Sequence, residues 1–236
     1  MSEPVVLVPG MMSDARVFMP QIVELTKTHS VQIASLGQSD TIRQMAVDIL
    51  ASAPQNFALV GHSMGGIVAM EMLRQAPDRI NRLALISTSA TAEGPSQAAE
   101  REPFIVRAKA GRLAEVMTDM MRPEFFHDGP ARPQILKLIQ EMAMRLGPDV
   151  FIRHSRALQS RPDQQRTLRT ARLPILVLGG ADDRMTAPAR HEFIAGLVAD
   201  AELHILPNAG HLPMVEAASA VTNALQTWLN RPLMLR

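Results

Sequence analysis

The chain contains no cysteine and no tyrosine, one tryptophan, and only 3% aromatic residues among its 236 positions. Without cysteine there can be no disulfide, no thiolate nucleophile and no thiolate metal ligand. Long apolar runs are missing too, and no segment approaches the ~20 residues that a membrane span requires. Nor is there an excess of one charge: 24 Lys and Arg stand against 23 Asp and Glu. A formal net charge of +1, with no basic run, gives nucleic acid nothing to grip. Met1-Ser2-Glu3-Pro4 carries no basic residue, and the apolar stretch 5–8 is too short for the core of a signal peptide. These absences predict a cytoplasmic protein that engages neither membrane nor nucleic acid. What is present is a 47% apolar chain of single-domain length, with 16 methionines suited to filling core gaps.

The most informative segment is Gly61-His62-Ser63-Met64-Gly65-Gly66. A short apolar run, Phe57-Ala58-Leu59-Val60, precedes it, and a helical pattern from Ile67 to Leu73 follows. A serine between strand and helix in a G-x-S-x-G turn is forced into a strained backbone conformation. That turn closes only if the flanking residues lack a Cβ. Its hydroxyl then stands clear of the sheet edge at a helix N-terminus, so Ser63 reads as a candidate nucleophile.

Apolar strand-like runs at 5–8, 30–36, 57–60, 83–86, 173–178 and 203–206 alternate with helical patterns at 40–53, 67–76 and 214–229. Another helical pattern follows Ser13-Asp14, which can cap it. This alternation predicts a parallel sheet covered by helices on both faces. Nearly ninety residues between 86 and 174 lack a convincing strand. They hold helical patterns near 97–121, 133–146 and 148–159, too long for a loop and too regular for disorder. The expected division is a core of 1–92 and 169–236, with a helical cap inserted at 93–168.

A serine nucleophile needs a base, and the base needs an orienting carboxylate. Two segments downstream of Ser63 offer them. Gly179-Gly180-Ala181-Asp182-Asp183 ends an apolar strand, the edge where parallel sheets place their sites. Asn208-Ala209-Gly210-His211-Leu212-Pro213 follows the last strand. Either aspartate can be the acid on this evidence, and the competing role is a helix cap near Pro188. The other six histidines lie in no such motif, and no pair or trio has the spacing of metal ligands.

Taken together, G-H-S-M-G-G at 61–66, G-A-D-D-R-M-T-A-P at 180–188 and N-A-G-H-L-P-M-V-E at 208–216 resemble the α/β-hydrolase fold family. Pro77-Asp78-Arg79-Ile80 and the strand-then-Pro9-Gly10 opening add to the likeness, which covers the whole chain apart from the cap. The resemblance implies Asp183, rather than Asp182, as the acid and His211 as the base. It also implies an oxyanion hole built from the backbone amides of Met11 and Met64. Where such proteins usually carry His-Gly this chain has Pro9-Gly10, which keeps the following amide and removes the histidine. It opens directly on the strand that ends in this loop, so about six strands are expected, all parallel.

The function expected from the resemblance is a serine hydrolase for a small carboxylic ester or lactone, without metal or cofactor, acting as a monomer or homodimer. The same three residues also serve carbon–carbon bond hydrolases and hydroxynitrile lyases. A non-catalytic ligand receptor is the alternative from another class. The cap would set specificity through its apolar residues, and while most of its arginines make solvated faces, one turned inward could hold a substrate carboxylate. Met11 and Met64 are the methionines placed to line the pocket.

Overall fold

The computed structural model describes residues 2–233. Six strands, β1 (Val5–Val8), β2 (Val31–Ile33), β3 (Phe57–His62), β4 (Ile80–Ile86), β5 (Ile175–Gly180) and β6 (Ala201–Leu206), form one sheet. Their order is β2-β1-β3-β4-β5-β6, and every neighbouring pair is parallel. The central strands are apolar at successive positions because both faces of a parallel sheet are covered. On β1, Val5 and Leu7 join one apolar cluster while Val6 and Val8 join the other. The edge strands β2 and β6 are only half buried and carry polar Gln32, Glu202 and His204.

One face of the sheet is covered by α1 (Met19–Leu25) and α12 (Ala218–Leu229), which contribute Leu25, Leu225 and Trp228 to the core. Complete burial of side chains of this size stabilises the fold by roughly 1.5–3 kcal/mol each. Trp228 also donates its indole N–H to the Pro174 carbonyl at 3.3 Å. The other face packs against α2 (Ile42–Ser52), α3 (Met64–Gln75) and, further on, α10 (Pro188–Gly196).

Between β4 and β5 lie α4 (Pro95–Glu100), α5 (Glu102–Lys109), α6 (Leu113–Met120), α7 (Arg132–Leu146), α8 (Pro148–Gln159) and α9 (Gln165–Thr170). The helical pattern read over 97–121 is therefore three helices, broken at Arg101 and around Gly111, whose φ is +80°. The pattern at 214–229 is likewise two, α11 (Pro213–Glu216) and α12, because Ala217 leaves helical geometry at φ −128°, ψ 48°. Asp14 accepts from the Arg16 amide as expected of a cap, but of a single 3-10 turn that precedes α1. The cap of α2 is Thr41, whose hydroxyl accepts from Gln44 N–H at 3.2 Å. The stretch 30–36 shortens to β2, since beyond Ile33 only the Ala34 amide still reaches β1. Among the described residues no helix is long and apolar enough to cross a membrane.

Candidate active site

Three loops past the C-terminal ends of β3, β5 and β6 converge on one cleft of about 360 Å³. Ser63 stands at the first, with φ 52° and ψ −117°, a region that costs a residue with a Cβ about 1–3 kcal/mol. Four hydrogen bonds hold its backbone there. Its amide donates to the Ile86 carbonyl at 2.9 Å, and its carbonyl accepts from Gly66 N–H at 3.0 Å, Ile67 N–H at 3.3 Å and the Thr88 hydroxyl at 2.6 Å. The turn closes because Gly65 has no side chain: a Cβ there would lie 2.1 Å from the Val8 carbonyl oxygen. At Gly61 it would lie 2.5 Å from the carbonyl oxygen of Gly65.

His211 Nε2 lies 3.1 Å from Ser63 Oγ, and His211 Nδ1 lies 2.9 Å from Asp183 Oδ2. Asp183 does not cap α10, whose N-cap is Ala187. Its Oδ1 instead accepts the amides of Met185 (2.9 Å) and Thr186 (2.8 Å), while Oδ2 takes the Thr186 hydroxyl at 2.5 Å. Burial alone would raise the Asp183 carboxyl. The adjacent His211 ring and the hydrogen bonds from His211 and Thr186 outweigh it and hold the group down at about 2. A carboxylate so held stays ionised and fixes the ring that it faces. Asp182 turns outward and meets His127 Nδ1 at 2.6 Å on the surface.

The loop carrying His211 is fastened by a group to which the sequence motifs assigned no role. Glu216 accepts from the amides of Gly210 (2.9 Å) and Leu212 (2.8 Å) on either side of His211. It also takes the amide of His127, at 2.7 Å. His211 N–H in turn donates to the Phe125 carbonyl at 2.8 Å. The segment 125–127 and the histidine loop are thus cross-linked through backbone polar groups.

Met11 and Met64, the two expected amide donors, both line the cleft beside Ser63. Neither amide has an acceptor within the protein among the described residues. Met64 N–H belongs to the first residue of α3, where helix geometry leaves amides unpaired and attracts negative charge. The loop bearing Met11 is held from outside. Met12, at φ 53°, donates its amide to His154 Nδ1 at 3.2 Å, and His154 Nε2 donates to the Leu36 carbonyl at 3.2 Å. Acceptance at Nδ1 requires a neutral ring, and burial pushes His154 down to about 4. His62 donates through Nε2 to the His211 carbonyl at 2.9 Å, with the two rings 5.2 Å apart. Burial, with His211 nearby, pushes it down to about 3. Both rings thus tie separate segments together through backbone amides and carbonyls. Among the described residues no group of three or more His, Asp or Glu is disposed around a common metal position.

Residues 5–225 match the family model described as Alpha/beta hydrolase family. Among curated relatives, the sn-1-specific diacylglycerol lipase ABHD11 of Mus musculus is 28% identical over 65% of this chain. The chain spans only about half (52%) of that protein's length. The 3-oxoadipate enol-lactonase 2 of Acinetobacter baylyi is 25% identical over 87% of this chain and 77% of its own. Among solved structures, a thermophilic esterase from Thermogutta terrifontis, determined with malate bound, superposes with a TM-score of 0.88 at 26% identity. That match covers 97% of this chain and 90% of the esterase.

Proposed function

The chain belongs to the alpha/beta hydrolase family, and we propose that within it the protein is a serine hydrolase of small carboxylic esters or lactones. One observation carries this reading: the unbroken line of contacts from Ser63 Oγ through His211 to Asp183. Ser63 Oγ attacks the ester carbonyl carbon as His211 Nε2 takes its proton. The carbonyl oxygen becomes an oxyanion that accepts from the amides of Met11 and Met64. Two such preorganised donors supply a few kcal/mol of transition-state stabilisation each. Collapse of the tetrahedral intermediate expels the alcohol, which receives the proton from His211. Water, deprotonated by the same ring, then cleaves the acyl-enzyme and releases the acid. Asp183 holds the imidazole in the required tautomer and stabilises its positive charge. The reaction needs no cofactor.

Residues 93–168 act in this reading as a cap over the serine. Its support is that Phe104, Met120, Met121 and Phe125 from this segment line the same cleft as Ser63. The likeness to an esterase and to an enol-lactonase supports an ester or lactone as the bond cleaved. The test is hydrolysis of p-nitrophenyl esters from acetate to decanoate, wild type beside Ser63→Ala. Turnover that peaks at one chain length and vanishes in Ser63→Ala is expected. Equal turnover by both proteins would refute the reading.

A further inference from the structure

The cleft over Ser63 is apolar on most of its wall, yet one part of that wall is cationic. Glu93, Arg101, Arg161 and Arg190 all line it. Glu93, with 3% of its side chain exposed, is the carboxylate that Arg101 and Arg161 share. Arg101 Nε reaches it at 2.7 Å and Arg161 Nη1 at 3.4 Å. Arg161, 12% exposed, spends its Nε on the Thr91 carbonyl at 3.1 Å. Arg190 sits in the first turn of α10 and has no carboxylate partner among the described residues. Its one side-chain hydrogen bond among the described residues runs from Nη1 to Ser89 Oγ at 3.5 Å.

Most arginines near a cleft are solvated or serve local ion pairs, and the Arg101–Glu93–Arg161 set does tie the 91–94 segment to α8 and α4. That role is satisfied without Arg190. Arg101 and Arg161 share the single buried carboxylate Glu93, and Arg190 lies near Arg161 without one, so this part of the wall carries more positive than negative charge, and like charges so gathered repel one another unless an anion joins them. Glu100 and Asp119 also line the cleft, Asp119 paired with Arg107. Burial, with Arg101 and Arg190 nearby, disfavours the charged form of Arg161, and Glu93 opposes this only in part. The cationic wall also begins close to the nucleophile. Thr88 donates to the Ser63 carbonyl, and Ser89, the next residue, touches Arg190.

We propose that the molecule cleaved at Ser63 carries, besides its ester, a free carboxylate held by Arg190 and Arg161. The substrate class is a half-ester of a dicarboxylic acid or a carboxylate-bearing lactone. The planar guanidinium fork matches a carboxylate in two parallel bonds. Phe104, Met120 and Met121 line the cleft for the apolar chain joining the two carbonyl groups. This assignment rests on the serine-hydrolase reading for the ester end, but the anion site can be measured without turnover.

The experiment is calorimetric titration of the wild-type chain at low salt with the monoamides of succinic, glutaric and adipic acids. Butanamide, pentanamide and hexanamide are the neutral controls of matching length. At one length the acid is expected to bind at least tenfold more tightly than its control. Arg190→Gln, at an exposed position, should keep the melting temperature and reduce that ratio below threefold, and Arg190→Lys should restore part of it. No measurable binding of any acid, a ratio below threefold in the wild type, or a ratio that survives Arg190→Gln would overturn the proposal. Hydrolysis of p-nitrophenyl butyrate by the same preparation separates the two readings. Ser63-dependent turnover without an acid preference removes only the anion site, and an acid preference without turnover removes only the esterase.

Discussion

Asp182 and Asp183 are neighbours in sequence but serve different histidines. Asp183 Oδ2 lies 2.9 Å from His211 Nδ1, and Asp182 Oδ2 lies 2.6 Å from His127 Nδ1. One pair is buried beside Ser63, and the other is half exposed on the surface. Asp183→Asn should therefore lower kcat on p-nitrophenyl butyrate by a factor on the order of 10³–10⁴, because the amide no longer imposes the working tautomer. Asp182→Asn should stay within about fivefold of wild type, since an exposed pair contributes little. Steady-state kinetics of both variants checks the ranking, and its reversal would move the acid to Asp182.

Glu216 should behave as a positioning residue for His211. Its carboxylate accepts three amides, and hydrogen bonds to a charged acceptor contribute about 1.5–3 kcal/mol each. Glu216→Gln keeps the shape but loses the charge and one acceptor oxygen. Urea unfolding should show a loss of about 1–3 kcal/mol, and kcat should fall at least tenfold with KM nearly unchanged. A stability loss with kcat intact would reduce Glu216 to a purely structural group.

Gly65→Val should damage the serine turn itself. The new Cβ would meet two backbone oxygens, of Val8 at 2.1 Å and of Pro9 at 2.4 Å, and neither can rotate away as a side chain would. A destabilisation of about 3–5 kcal/mol is expected, toward the upper end for overpacking. In a domain of this size that lowers the melting temperature by roughly 6–20 °C. Scanning calorimetry showing wild-type stability together with wild-type activity would contradict the close-packed turn.

Stability should fall in acid in two stages. His62, His154 and His191 are pushed by burial to about 3, 4 and 4, below the ordinary 6.5 that they regain on unfolding. Between those values the unfolded chain binds protons that the folded one refuses, so stability drops as pH falls from about 6.5 toward 4. Each such group contributes a slope of about 1.4 kcal/mol per pH unit inside its window. Asp183, held at about 2 against an ordinary 3.8, adds a second loss as pH falls from about 3.8 toward 2. Melting temperatures from pH 8 to pH 3 test the first stage. Replacing His154 by Gln, which can still accept from Met12 N–H, should shallow the slope between pH 6.5 and 4. An unchanged slope would exclude His154 from the acid response.

Much of the fold was legible because each apolar strand ends at a glycine, a proline or a change of pattern. Ser63, Asp183 and His211 stood out because each follows its strand at a short offset, and the structure brings their side chains together. Glu216, Thr186 and His154 were not legible in their roles. Thr186 and Glu216 bond groups three to six positions away, but turn geometry that the residue pattern does not show aims them there, and the His127 and Met12 amides lie 89 and 142 positions from Glu216 and His154. The helix breaks at Gly111 and Ala217 were hidden because apolar residues recur on both sides of each. The ten arginines of the 93–168 segment gave no hint of which faces inward. Arg190 lies outside that segment, and only the packing of α10 beside Ser89 brings it to the cleft.

The most direct test of Ser63 as a nucleophile activated by His211 is labelling with a fluorophosphonate, followed by intact mass and peptide mapping. The account predicts one adduct per wild-type chain, on Ser63, with none on Ser63→Ala and at least 100-fold slower labelling of His211→Ala. An adduct on another residue, or equal labelling rates for wild type and His211→Ala, would contradict it.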